Sequence, residues 1–251
     1  MRKLMRNVSA VFILLLILFW FHPMKSQDKG ASVKPETITF RLGSLIKVRP
    51  EYEERYIILH KHVFPGVLDR IRRSNLRNYS IFLKDGILFS YFEYVGADYN
   101  GDMKAIADTT TKEWWKLTDP MQEPLPTRKK GEWWASMEEV FAADTSVVPQ
   151  IEVQRLAYVS QAKSKEATGL ADFFKENGAE ILPFLRKAHL GNVHIYFKDG
   201  SLYSYSEYDG AHWNSDLQSL KDDPAWAKLN DRLNAFLKAP WQEMKIVFHT
   251  N

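Results

Sequence analysis

The chain has 251 residues, and 34 Lys and Arg against 31 Asp and Glu leave a formal net charge of +3. Its charges are interspersed, and the densest basic runs, residues 70–73 and 128–130, are short, which argues against a nucleic-acid partner. With no cysteine, disulfide scaffolds, thiolate nucleophiles and lipid attachment through an N-terminal Cys are excluded.

Residues 1–27 stand apart. A positive start, MRKLMRN, precedes VSAVFILLLILFWF, fourteen residues whose only polar side chain is Ser9. That span falls short of the ~20 residues needed to cross a bilayer and reads as a secretory signal peptide cut after Ser26, or else as an uncleaved N-terminal anchor. Either outcome predicts a secreted or periplasmic protein that meets a membrane only through this segment.

From residue 38 to 48 alternation predicts a strand. A helix follows from about Pro50, a residue suited to a helix's first turn, to Arg73. SIFLKDGILFSYFEY then reads as two strands joined through Lys84-Asp85-Gly86, because Gly accepts positive φ in a tight hairpin. A second helix is expected over roughly 100–117, and MEEVFAA closes as a strand. The order β-α-β-β-α-β is the ferredoxin-like split unit, α+β in class, with helices on one sheet face and the other face bare.

The same order then recurs. NYSIFLKDGILFSYFEYVGA (78–97) matches NVHIYFKDGSLYSYSEYDGA (192–211) at twelve of twenty positions. A tandem duplication follows, roughly 35–145 and 150–251, joined by AADTSVVPQ. Two bare sheet faces in one chain predict sheet-to-sheet packing, a dimeric α/β barrel built as an intramolecular pseudo-dimer that can remain monomeric.

Matched positions differ in their chemistry. Tyr56, His60 and Tyr79 face Leu170, Phe174 and Val193, and Trp115 faces Ala227. The second copy is expected to be structural. In the first, Tyr56 and His60 share one helix face at i and i+4, and histidine suits reversible proton transfer near neutrality. The plainer reading is a half-buried histidine satisfied by one hydrogen bond. Trp114 and Trp115 cannot both face inward, so one can pack while its neighbour borders a pocket and stacks on a sugar ring. Trp133 and Trp134 read as packing. Glu93 recurs as Glu207, which favours a structural role. No HExxH, GxSxG, GxGxxG or phosphate-loop pattern occurs, so metal, triad and nucleotide chemistry have no support.

With these residues assembled, the first copy resembles the L-rhamnose mutarotase family. The resemblance runs from FRLGSLIKVRPEYEERYIILHKHVFPGVLDRI through NYSIFLKDGILFSYFEY to EWWKLTDPMQEPLPTRKKGEWWASMEEVF. It implies a ferredoxin-like unit that dimerises through its sheets and interconverts α and β anomers of a deoxy-sugar without cofactor or metal. Carried over by position, His60 is the proton donor, and Tyr56, Tyr79, Trp114 and Trp115 contact the monosaccharide. The rival expectations are a non-catalytic carbohydrate-binding or sensor module on this fold and a ferredoxin-like oxygenase.

Overall fold

The computed structural model describes residues 38, 40–144 and 153–251. The leader read over residues 1–27, and most of the joint, lie outside them. The first unit runs β1 (Phe40–Val48), α1 (Glu53–His60), α2 (Pro65–Arg73), β2 (Leu76–Lys84), β3 (Ile87–Tyr94), α3 (Tyr99–Ala105), α4 (Thr109–Thr118), β4 (Gln122–Glu123), β5 (Ala135–Ser136) and β6 (Glu138–Ala143). The second runs β7 (Gln154–Gln161), α5 (Thr168–Lys187), β8 (Leu190–Lys198), β9 (Ser201–Tyr208), α6 (Trp213–Lys221), α7 (Pro224–Asn234), β10 (Gln242–Glu243) and β11 (Lys245–Thr250).

Both hairpins turn where the sequence places them. Asp85 and Gly86 have φ of 48° and 73°, and Asp199 and Gly200 repeat this at 52° and 79°, the left-handed pair of a type I′ turn. The helices differ from expectation. The single helix expected over 50–73 is broken between His60 and Pro65, because proline biases the preceding residue away from helix and Phe64 sits at φ −57°, ψ 130°. In the second unit Ala179 takes that proline's place and α5 runs uninterrupted for 20 residues. The helix expected over 100–117 is likewise two pieces. Asp108 caps the second of them by accepting from the Thr111 amide at 2.8 Å, a bond that satisfies an otherwise orphaned donor.

The two split units pack sheet to sheet, and their closing strands cross over. One sheet has the order β11-β2-β3-β1-β4, with β5 also paired to β1, and the other has the order β10-β7-β9-β8-β6. Each closing strand therefore starts on its own unit's first strand. It then crosses at Met137 or Met244, whose amides donate to Gly43 and Ala157, and finishes on the other unit's sheet. A bulge marks each finish, at Val140 in β6 and at Val247 in β11.

Between the sheets lie Leu45, Phe82, Phe89, Tyr196, Tyr203 and Met244. Gly43 is required here, since a Cβ would sit 2.7 Å from the Tyr196 ring. At the pseudo-twofold centre the rings of Tyr91 and Tyr205 stack at 3.7 Å, and each hydroxyl donates to a carboxylate two residues on, Glu93 at 2.9 Å and Glu207 at 2.8 Å. Asn192 donates to Glu93 at 2.7 Å and Asn78 to Glu207 at 2.5 Å. Both asparagines sit at bulges with positive φ, 51° and 47°, a conformation Asn tolerates better than most residues. That geometry aims their amides across the interface.

Candidate active site

The broken helix creates the site. Because α1 stops at His60, the imidazole occupies the helix's last turn and lines a cavity between the helices and the sheet. Its Nδ1 lies 2.9 Å from the Tyr56 carbonyl oxygen. A carbonyl only accepts, so Nδ1 carries the proton and Nε2 keeps its lone pair. Nε2 makes no hydrogen bond to protein among the described residues. Burial pulls the imidazole from its ordinary 6.5 down to about 4, opposed by the bond to the Tyr56 carbonyl, so at neutral pH the ring is an uncharged base.

Aromatic rings surround it. Tyr56, fully buried, stacks on the imidazole with centroids 3.9 Å apart. Trp114 meets it edge-on at 5.3 Å. Burial, reinforced by Tyr79 and opposed by Gln122, holds the Tyr56 phenol well above its ordinary range, and burial does the same to Tyr79. Both therefore stay protonated. Gln122 Nε2 donates to the Tyr56 hydroxyl at 3.3 Å, and Trp133 Nε1 donates to Gln122 Oε1 at 2.8 Å. A chain of side chains thus spans one side of the cavity, and the phenol donates no hydrogen bond of its own among the described residues.

The cavity measures about 620 Å³ and is lined by all five residues singled out from sequence: Tyr56, His60, Tyr79, Trp114 and Trp115. Trp114 is buried while Trp115 is only half-buried, as adjacent helical positions require. Several wall residues were not singled out. Gln122 lies in the quoted TDPMQ stretch, but nothing in its local pattern points to a bridging role. Trp133 and Trp134, read as packing, both line the cavity, and Trp133 is 45% exposed. Ser44 and Ser90, bonded to each other at 2.7 Å, also line it. Phe248 comes from the far end of the chain.

Two carboxylates complete the lining. Burial raises Asp119. Burial also pushes Glu132 upward, but the Ser136 hydroxyl and the Lys129 and Ser136 amides outweigh it and hold this carboxyl below its ordinary value. Among the described residues no three His, Asp or Glu side chains converge as metal ligands.

The family model for L-rhamnose mutarotase matches residues 41–143. The L-rhamnose mutarotase of Tolumonas auensis is 33% identical over 88 residues, which cover 35% of this chain and 81% of that protein. The chain belongs to the L-rhamnose mutarotase family. A second member, from Oceanobacillus iheyensis, is 26% identical over 84 residues, 33% of this chain and 80% of that protein. Among solved structures, a Lactobacillus acidophilus protein described as a monooxygenase superposes with a TM-score of 0.52 at 8% identity, covering 84% of this chain and 96% of its own. That likeness shows the fold alone. The mutarotase match contains the five predicted site residues and ends before the second unit, so Phe248 lies outside it.

The buried histidine has a consequence for stability. A base whose folded pKa lies below its unfolded value makes the unfolded state bind more protons between the two values. Its stabilising contribution is present in full above about pH 6.5 and is lost as pH falls toward 4. At about 1.4 kcal/mol per unit the loss attributable to His60 reaches roughly 3 kcal/mol. Urea denaturation of wild type and His60→Leu across this range should show a shallower acid slope in the variant, and identical slopes would contradict a neutral, buried imidazole.

Proposed function

We propose that this protein is a cofactor-independent aldose 1-epimerase that interconverts the α and β anomers of L-rhamnose or a related deoxy-sugar by acid–base ring opening. One observation carries the reading. In a chain of the L-rhamnose mutarotase family, a neutral imidazole presents a single unbonded nitrogen to an aromatic cavity whose size suits a small molecule, within the usual range of about 300–1,000 Å³.

Mutarotation needs one proton removed and one supplied. The Nε2 lone pair of His60 takes the proton of the anomeric hydroxyl. The C1–O1 bond gains double-bond character, the C1–O5 bond breaks, and its electron pair stays on O5. A phenol O–H, from Tyr56 or Tyr79, steadies the charge arriving on O5 until the proton reaches it. Rotation about C1–C2 turns the other face of the aldehyde inward, and the reverse transfers close the ring. In this order the histidine acts first as a base and becomes the proton donor implied by the family resemblance only once it has been charged. The tryptophan faces hold the apolar side of the pyranose.

The second unit is read as non-catalytic. Leu170, Phe174 and Val193, at the positions of Tyr56, His60 and Tyr79, belong to its core and offer no titratable group. It covers the first unit's bare sheet, so a single chain supplies what a dimer otherwise would. Export rests on residues 1–27, and mass spectrometry of the mature protein should find its N-terminus near Gln27; an intact Met1 would favour an anchor.

Saturation-transfer NMR of the anomeric protons of L-rhamnose, L-fucose and galactose tests the activity. Exchange faster than in buffer, for at least one sugar, is expected. Sugar binding with the buffer rate of exchange would replace the enzyme by a carbohydrate-binding module.

A further inference from the structure

The second unit looks like a brace, yet one of its residues stands in the cavity. β11 lies at the edge of the first unit's sheet, paired to β2, and a bulge separates its Ile246 and Phe248 pairings. In a regular strand consecutive side chains point to opposite faces. A bulge breaks that alternation, and here Val247 and Phe248 both join the first unit's core. Phe248 is 7% exposed. Its ring stands edge-on to His60 at 5.9 Å and to Tyr79 at 5.5 Å.

The other closing strand provides an internal comparison. A matching bulge in β6 places Val140 and Phe141 in the second unit's core. Phe141 packs at 4.9 Å on Phe174, the residue at the position of His60. Each half therefore sends one phenylalanine to the same helical position of the other half. In the second unit it meets a phenylalanine; in the first it meets the imidazole.

We propose that Phe248 is a positioning residue of the active site, the wall by which the C-terminal strand shields and seats the His60 imidazole, so that the second half completes the catalytic pocket as well as bracing it. The catalytic part of this statement rests on the mutarotase reading above. Tyr56 stacks on the imidazole, Trp114 meets it edge-on, and Phe248 supplies an enclosing ring from outside the segment that matches the family. The other titratable groups lining the cavity are Tyr56 on α1, Tyr79 on β2, Tyr99 on α3, Asp119 after α4 and Glu132 before β5. No Lys or Arg is among these lining residues. On β11 itself, the next residue, His249, bonds Ser80 Oγ at 3.0 Å. Removing the Phe248 ring admits water beside the imidazole and leaves two carboxylates in the same cavity. Both changes favour the charged ring.

The test follows the ring ¹⁵N and ¹³C signals of His60 in the whole protein, assigned with His60→Gln, between about pH 5 and 8. Wild-type His60 should stay neutral throughout. In Phe248→Ala its midpoint should move up by about one unit or more, into that window, and the pH profile of anomer exchange should move with it. Phe248→Val, a smaller cavity, should shift less in the same direction and serves if the alanine variant fails to fold. Phe141→Ala removes the equivalent ring from the other unit and should leave His60 neutral. A folded Phe248→Ala or Phe248→Val with His60 still neutral across the range would overturn the proposal, as would an equal shift in Phe141→Ala. The titration needs no sugar. Wild type that fails to speed anomer exchange, while His60 responds as described, would sink the enzymatic reading and leave the wall in place.

Discussion

His60→Gln should fold and should exchange sugar anomers about 10²–10⁴-fold more slowly than wild type, close to the rate in buffer. That range is the usual contribution of one positioned acid–base group. Glutamine preserves much of the volume and can still donate to the Tyr56 carbonyl, the bond His60 Nδ1 makes at 2.9 Å, but it offers no basic nitrogen to the sugar. Binding should therefore survive while turnover is lost. The comparison is made by anomeric saturation transfer at several sugar concentrations, so that a fall in kcat is separated from a rise in KM. A variant with wild-type turnover would remove the imidazole from the mechanism and pass the proton chemistry to the phenols or to Asp119.

Phe174→Ala should cost about 3–5 kcal/mol of unfolding free energy, the range for truncating a buried phenylalanine. Phe174 is 4% exposed and lies between Phe141 at 4.9 Å and Phe173 at 5.5 Å, inside the second unit's core. The loss also reaches the first unit. β6 belongs by sequence to the first unit and by pairing to the second, and β11 the reverse, so the two sheets should melt in one transition. Urea denaturation with single-transition fits measures the cost, and anomer exchange well below the midpoint should be preserved because no catalytic group is touched. A variant as stable as wild type would refute the view that the second unit's filled core holds the molecule together.

These two expectations set residues at one helical position against each other. In the first unit a proline five residues after the histidine ends the helix and leaves room for a cavity; in the second, alanine lets the helix continue. Histidine at a helix end beside a cavity is exposed to chemistry, whereas phenylalanine in mid-helix is only packed.

Much of this was legible in the sequence because it is local or periodic. The Asp-Gly turns need positive φ wherever they occur, Tyr56 and His60 share a face in any helix, and the twelve matched residues of the hairpins announce two like units. The break at Pro65 was within reach of the same reasoning, since a proline biases the residue before it away from helix. Tertiary structure alone decided the rest. A closing strand carries the same alternation whichever sheet receives it, so nothing in MEEVFAA or MKIVFHT says that each crosses to the other unit; pairing is settled by which edge is open when the sheets meet. For that reason Phe248, over 180 residues from His60 in the chain, escaped notice, and so did the bridge from Trp133 through Gln122 to Tyr56. The charge state of His60 belongs to the same class, since it depends on how many rings exclude water from the imidazole, and those rings come from three separate segments.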